Sequence, residues 1–180
     1  MNTWRNLPGK IYVTLASLDP RLRSRSRRAA QGLSSGERGL FLSMSRYDLV
    51  HSMAVASRLT GDDLLRRAGL LHDTGKLRSE LGLLTRWLYT ALEIALPSCL
   101  QGLAERIDAK AAGSGVMERV HSLPRGWRRG LYVQLHHAEI AAEQLAQAGS
   151  EAELLRLVGS HQDEPRDTPQ RLLREADDSL

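Results

Sequence analysis

The sequence predicts an all-α protein. Apolar residues recur at three- and four-residue spacing, helix start and stop signals bracket most of these runs, and no useful strand alternation or glycine-rich phosphate loop interrupts them. At 180 residues, with 42% hydrophobic and 26% charged, the chain is long and apolar enough for one packed core.

Residues 1–20 read as a short apolar lead ending at Asp19-Pro20. Arg21, Arg23, Arg25, Arg27 and Arg28 follow. With no aromatic among them, they are expected to form a solvated helix face or a flexible arm. Ser34-Ser35-Gly36-Glu37 reads as a turn. Arg46-Tyr47-Asp48 opens a helix to about Leu59, closed by Thr60-Gly61. Asp62 is a good N-cap for the next helix, whose Leu64, Leu65, Ala68 and Leu71 keep helical spacing up to His72, with Gly75 as the expected stop.

From Leu81 to Ala104 the chain is strongly apolar. Leu84, Trp87, Leu88, Ala91 and Ala95 share one helical face, which Leu92, Ile94 and Leu96 widen. A buried helix or a lid is expected, because Arg86, Glu93 and Pro97 make a poor membrane span. Residues 105–125 are mixed, with a loop at Ala112-Gly113-Ser114-Gly115 of the kind that covers or gates a site. A helix is expected from about Arg129 to Gln147, with Gly149 just past its end. Ser150 and Glu153 have the spacing of a capping box for a helix reaching His161. Thr168-Pro169 starts the last helix, which carries Leu172, Leu173, Ala176 and Asp177.

The net charge of +4 comes mostly from arginine, which suits phosphate-bearing partners. Only 4% of residues are aromatic, too few for a base-stacking platform, so no specific nucleic-acid binding is expected. The lone Cys99 excludes an internal disulfide and a cysteine-based zinc site, and fits a reducing cytoplasm. No secretory leader is expected. The oligomeric state is left open.

Five residues place a polar group at the edge of an apolar helical stripe. His51 falls with Ala54, Val55 and Leu59, and His72 over Leu65, Ala68 and Gly69. His137 falls with Ile140, Ala141 and Leu145, whereas His136 points toward Glu139 and Glu143 and is expected to be more exposed. His161 falls with Leu154, Leu157 and Val158, and Asp177 with Leu173 and Leu180. Asp73, next to His72, completes the set. Singly, each histidine reads as a satisfied core or rim residue. Burying one polar group without a partner costs roughly 1–3 kcal/mol, and a charge costs more. Several on inward stripes must satisfy each other or share a cation. Imidazoles with carboxylates form the ligand set of divalent ions such as Zn, Fe, Mn and Mg.

The order of these residues resembles the HD superfamily of metal-dependent phosphohydrolases. His51 precedes His72-Asp73-Thr74-Gly75-Lys76, which is similar to the family's His-Asp-x-Gly-Lys signature. Leu135-His136-His137-Ala138-Glu139-Ile140-Ala141 resembles its His-Pro-Glu-x-Gly element, His161 a third element, and Asp177 its distant aspartate. The resemblance covers roughly residues 47–178. It implies a helical bundle of five or more helices around a metal site at 47–180, after a lead at 1–46 and with an apolar insertion at about 81–125. It implies that His51, His72, Asp73 and Asp177 hold one divalent ion (Fe, Mn, Zn, Mg or Co). Asp73 would bridge to a second ion held also by His137 and His161.

Lys76 would orient Asp73 or neutralise phosphate, or else complement the helix dipole. Arg125, Arg128 and Arg129 are candidate phosphate contacts. Gln162 stands where members with two metals often have a second histidine, which leaves one or two ions open. The segment His161-Gln162-Asp163-Glu164-Pro165 lacks the Gly-Tyr-Pro extension of cyclic-dinucleotide phosphodiesterases. The expected function is a cytoplasmic phosphohydrolase acting on a small phosphorylated molecule, such as a nucleotide. Two alternatives are a non-catalytic metal- and nucleotide-binding sensor, and a membrane-peripheral adaptor using residues 81–104.

Overall fold

The computed structural model describes residues 7–80 and 82–180, the side chains of 83–86 and 88 excepted. Residues 1–6 of the expected lead, and Leu81, Leu84, Arg86 and Leu88 of the apolar segment, thus lie outside the described side chains. Among the described residues all regular structure is helical. In chain order the helices are α1 (Leu7–Ala16), α2 (Leu22–Ala29), α3 (Ser35–Ser43), α4 (Arg46–Arg58), α5 (Asp63–Leu71) and α6 (Leu83–Ala95). They continue as α7 (Pro97–Asp108), α8 (Val116–Ser122), α9 (Trp127–Gln147), α10 (Ala152–Gly159) and α11 (Thr168–Asp178). A 3-10 turn, Ala30–Gly32, extends α2.

Local signals explain most of these boundaries. Asp62 accepts the Leu65 N–H as the N-cap of α5, and Asp167 does the same for the Gln170 N–H at the start of α11. Two expectations exchange places. Ser34 to Glu37 is a helix start, not a turn: the Ser34 hydroxyl accepts the Glu37 N–H, and the Glu37 carboxylate accepts the Ser34 N–H. Ser150 and Glu153 form no capping box, because the N-cap of α10 is Glu151 and the Ser150 hydroxyl donates to Glu37 Oε1 at 2.9 Å. The buried Glu37 carboxylate also binds Arg67 at 2.8 Å. It offers Ser150 a stronger acceptor than its own helix does.

The helices enclose two apolar clusters. Val13, Leu22 and Phe41 of α1–α3 join Val55, Leu65, Leu71, Leu145, Leu157 and Leu173 in the larger one. Residues 7–46 are thus part of the same core as the helices that follow. The smaller cluster gathers Leu100, Ile107, Val116, Val120, Tyr132 and Ile140 from α7–α9. The connection expected at 105–125 is therefore largely helical: α7 runs on to Asp108 and α8 buries Val116 and Val120 against α9. The apolar 81–104 segment is two helices broken at Leu96-Pro97, where proline opens α7. No helix of the described residues is long and apolar enough to cross a membrane.

Helix α9 serves both clusters and bends between them. His136 leaves helical geometry (φ −108°, ψ 15°), and its ring stacks on Tyr132 and bonds Asp108 Oδ1 at 2.8 Å. His136 is therefore held away from the inward face, as expected, and the next residue, His137, points inward. Gly69 allows the other approach the site needs: a Cβ there would stand 3.0 Å from Ala56 Cα of α4. Close α4–α5 packing puts the His51 and His72 rings 5.4 Å apart.

Replacing Glu37 by alanine will lower stability by about 3 kcal/mol in urea unfolding, since Arg67 loses its buried partner. Burial opposes ionisation of Glu37, but the Ser34 N–H, Arg67 and Ser150 hold its carboxyl below the usual value. Its contribution is therefore present above the ordinary carboxylate range and lost as pH falls through the lowered value. Glu37→Gln will flatten that acid-side dependence.

Candidate metal centre

Helix α5 ends at Leu71, and the following turn carries the centre of the site. The Thr74 N–H bonds to the Leu71 carbonyl and the Lys76 N–H to the Asp73 carbonyl. Gly75 lies within this turn rather than at the helix end. Its role is close approach: a Cβ there would meet the His137 carbonyl oxygen at 2.0 Å and the Ala141 nitrogen at 2.7 Å. The turn thus lies directly on the backbone of α9, which only glycine permits.

Six side chains from five parts of the chain meet at this turn. His51 comes from α4, His72 and Asp73 from the turn, His137 from α9, His161 from just beyond α10 and Asp177 from α11. They form two groups, His51–His72–Asp177 and Asp73–His137–His161, each with its donor atoms within 4.8 Å of one another. Asp73 lies between them: Oδ2 is 3.6 Å from His51 Nε2, and Oδ1 is 3.5 Å from His72 Nε2 and 3.3 Å from His137 Nε2. Asp177 Oδ1 lies 2.8 Å from His51 Nε2 and 3.5 Å from His72 Nε2. Lys76 Nζ closes the cluster, 2.7 and 2.8 Å from the two Asp73 oxygens.

Three histidines are oriented in the same way. Nδ1 of His72, His137 and His161 lies 3.0, 2.7 and 2.7 Å from the carbonyl oxygens of Gly69, Gln134 and Val158, each three residues earlier. A carbonyl only accepts, so Nδ1 carries a hydrogen, and each ring in its neutral form turns a bare Nε2 lone pair inward. This is the arrangement that presets metal-ligating imidazoles. His137 Nε2 and His161 Nε2 stand 3.2 Å apart, so two lone pairs face each other. The buried His72 Nε2 makes no hydrogen bond among the described residues. A divalent cation could satisfy all of these atoms, and the donor set of four imidazoles and two carboxylates suits one.

The electrostatics follow the same division. Burial, then the neighbouring His137 and His72, lower His161 to about 3, and burial with Lys76 also lowers His137. Both rings are neutral near pH 7, so no proton bridges their nitrogens. Burial disfavours the charged form of His72, but Asp73 and Asp177 outweigh it and raise His72 to about 9. Burial likewise opposes ionisation of Asp73 and Asp177. The imidazoles, with Lys76 at Asp73, hold both carboxyls well below the usual range.

A cavity of about 360 Å³ opens onto this cluster. His51, His137, His161 and Asp177 line its floor, with Lys76 beside them. Around them stand Lys10 of α1, Trp87, Tyr89, Thr90 and Glu93 of α6, Gln134 of α9, Gln162, and Arg174 of α11. The expected arginines are not among these residues. Arg129 is buried with its guanidinium 3.3 Å from Glu80, where it ties the post-signature turn to α9. Arg128 lies over the Trp127 ring at 5.2 Å, and Arg125 is exposed. The cations of the cavity are Lys10, Lys76 and Arg174. Arg174 was legible from the sequence, one turn before Asp177 on the same face of α11. Lys10 was not, because only the docking of α1 brings it here. Comparison of the chain with protein-family models, curated proteins and solved structures finds no match.

Gly75→Ala will force the turn off α9 and separate Asp73 from His137. It will abolish tight metal retention in elemental analysis and cost at least about 1–3 kcal/mol of stability. A ligating His72 must be neutral, yet its value of about 9 keeps it protonated at pH 7. Metal uptake at pH 7 will therefore release a proton, seen in calorimetry as a heat that depends on the buffer, and affinity will fall on acidification.

Proposed function

We propose that the chain is an HD-type, metal-dependent phosphohydrolase acting on a small phosphorylated molecule such as a nucleotide. The observation that carries this reading is the position of Asp73 between two three-ligand groups, with its oxygens facing His51 and His72 on one side and His137 on the other. That is the bridging role the resemblance to the HD superfamily implies for the aspartate of the signature. His51, His72, Asp73 and Asp177 would hold one divalent ion, and Asp73, His137 and His161 a second. When bound, such ions supply Lewis acidity toward phosphate oxygens and lower the pKa of a coordinated water.

The remaining roles belong to the chain itself. Lys76 holds both oxygens of Asp73 and so fixes the plane of the shared carboxylate. Backbone carbonyls of Gly69, Gln134 and Val158 fix three imidazoles, so the ligand set needs little rearrangement. Lys10 and Arg174 place positive charge at the cavity wall, where a phosphoryl group must lose its hydration. The Gln134 and Gln162 amides add neutral hydrogen-bonding groups beside them. The same cavity presents Trp87, Tyr47 and Tyr89, which suit an aromatic or ribosyl portion of a substrate.

The test is phosphate release from a panel of nucleotides and simple phosphomonoesters, with Mn, Fe, Zn, Mg or Co supplied in turn. Turnover with at least one metal is expected, and Asp73→Ala will abolish it. Metal bound at the six ligands without turnover on any phosphorylated compound would favour the sensor alternative. Turnover that survives Asp73→Ala overturns the proposal.

A further inference from the structure

We propose that α1 and α2 form a docking surface for anionic phospholipid membrane, a role that does not depend on the activity proposed above. Helix α1 is turned the wrong way for a purely structural helix. Its inward side buries Val13, while Ile11, Tyr12, Leu15 and Leu18 are 47%, 57%, 64% and 73% exposed. Ile11 and Leu15, four apart, share one face of α1, and Leu18 follows in the turn just past its end, its N–H bonded to the Leu15 carbonyl. Only four other large apolar side chains of the described residues are comparably exposed, and they are spread over the rest of the chain. The apolar face is therefore local and continuous, the form in which exposed hydrophobic surface marks an interaction site.

The neighbouring surface determines the partner. Four residues past Leu18 the chain enters α2; Arg21 at its N-cap and Arg23, Arg25, Arg27 and Arg28 within it are all exposed, while Leu22 and Ser26 turn into the core. Among the described residues, Arg25 is the one of the five that forms an ion pair, with Asp19 at 3.4 Å. An exposed apolar helix face followed in the chain by five exposed arginines, four of them without an ion pair among the described residues, is complementary to anionic headgroups over an acyl interior. It is less suited to nucleic acid, which offers no partner to Leu15 and Leu18.

Two hydroxyls at the end of α1 also meet the demand of a low-dielectric interface, which is that a polar group entering it be satisfied. The Thr14 and Ser17 hydroxyls donate to the Lys10 and Thr14 carbonyls within the helix, each at 2.7 Å. Arg46 donates to the Ser17 and Asp19 carbonyls at 2.6 and 2.7 Å just past the C-terminal end. The helix is anchored by α4 and presents Ile11, Tyr12 and Leu15 to solvent.

The test is co-sedimentation of the full chain with phosphatidylcholine vesicles, with and without phosphatidylserine. Binding is expected only to the anionic vesicles, falling as salt rises. Leu15→Ser/Leu18→Ser and, separately, Arg23→Gln/Arg27→Gln/Arg28→Gln should each weaken it by about tenfold or more. These positions are exposed, so both variants should keep the parent's circular dichroism and melting temperature, and a variant that does not is replaced by single changes at the same positions. Three results would overturn the proposal: no binding to anionic vesicles, binding that both variants retain, or a dimer in sedimentation equilibrium that Leu15→Ser/Leu18→Ser dissociates.

Discussion

A buried carboxylate governs this structure. Asp73 is almost fully removed from solvent, and an isolated charge there would cost far more than the fold has to spare. It persists because Lys76 and the imidazoles of His51, His72 and His137 surround it. Each of those groups must in turn be placed within hydrogen-bonding or ligand range. The positions of α4, α5 and α9 follow from that demand as much as from hydrophobic packing. Where protons do not suffice, as between His137 Nε2 and His161 Nε2, the two groups could hold a divalent cation that completes the balance.

The scaffold meets the demand with a few close approaches. Gly69 lets α5 sit against α4, and Gly75 lets the signature turn lie on the backbone of α9. The bend at His136 lets one long helix contribute to two apolar clusters while aiming His137 at the site. At the far side of the core, Glu37 performs a similar task for stability, tying α3, α5 and the start of α10 through Arg67 and Ser150. Polar networks of this kind specify one arrangement of helices where apolar packing alone tolerates several.

Much of this was legible in the residues themselves. The helical class, the Asp62 cap, the inward faces of His51, His72, His137 and His161, and the outward turn of His136 all follow from spacing and capping chemistry. The errors share a cause. Ser34 with Glu37 and Ser150 with Glu153 carry the same local signal, and only competition for one buried carboxylate decides which of them becomes a capping box. Gly75 is the right residue for a helix stop, yet its position is set by a helix more than sixty residues later. Arg129, a reasonable phosphate contact by composition, is taken up by Glu80.

The sequence by itself determined the helical class, the helices that carry the site and the identities of the six candidate ligands, because periodicity, caps and donor chemistry are local properties. Tertiary structure decided what those ligands amount to. Packing at Gly69 and Gly75 set their separations, the three backbone carbonyls set their ring orientation, and the docking of α1 put Lys10 at the cavity wall. Distances between side chains far apart in the chain depend on how whole helices lean on one another, and no local pattern encodes that.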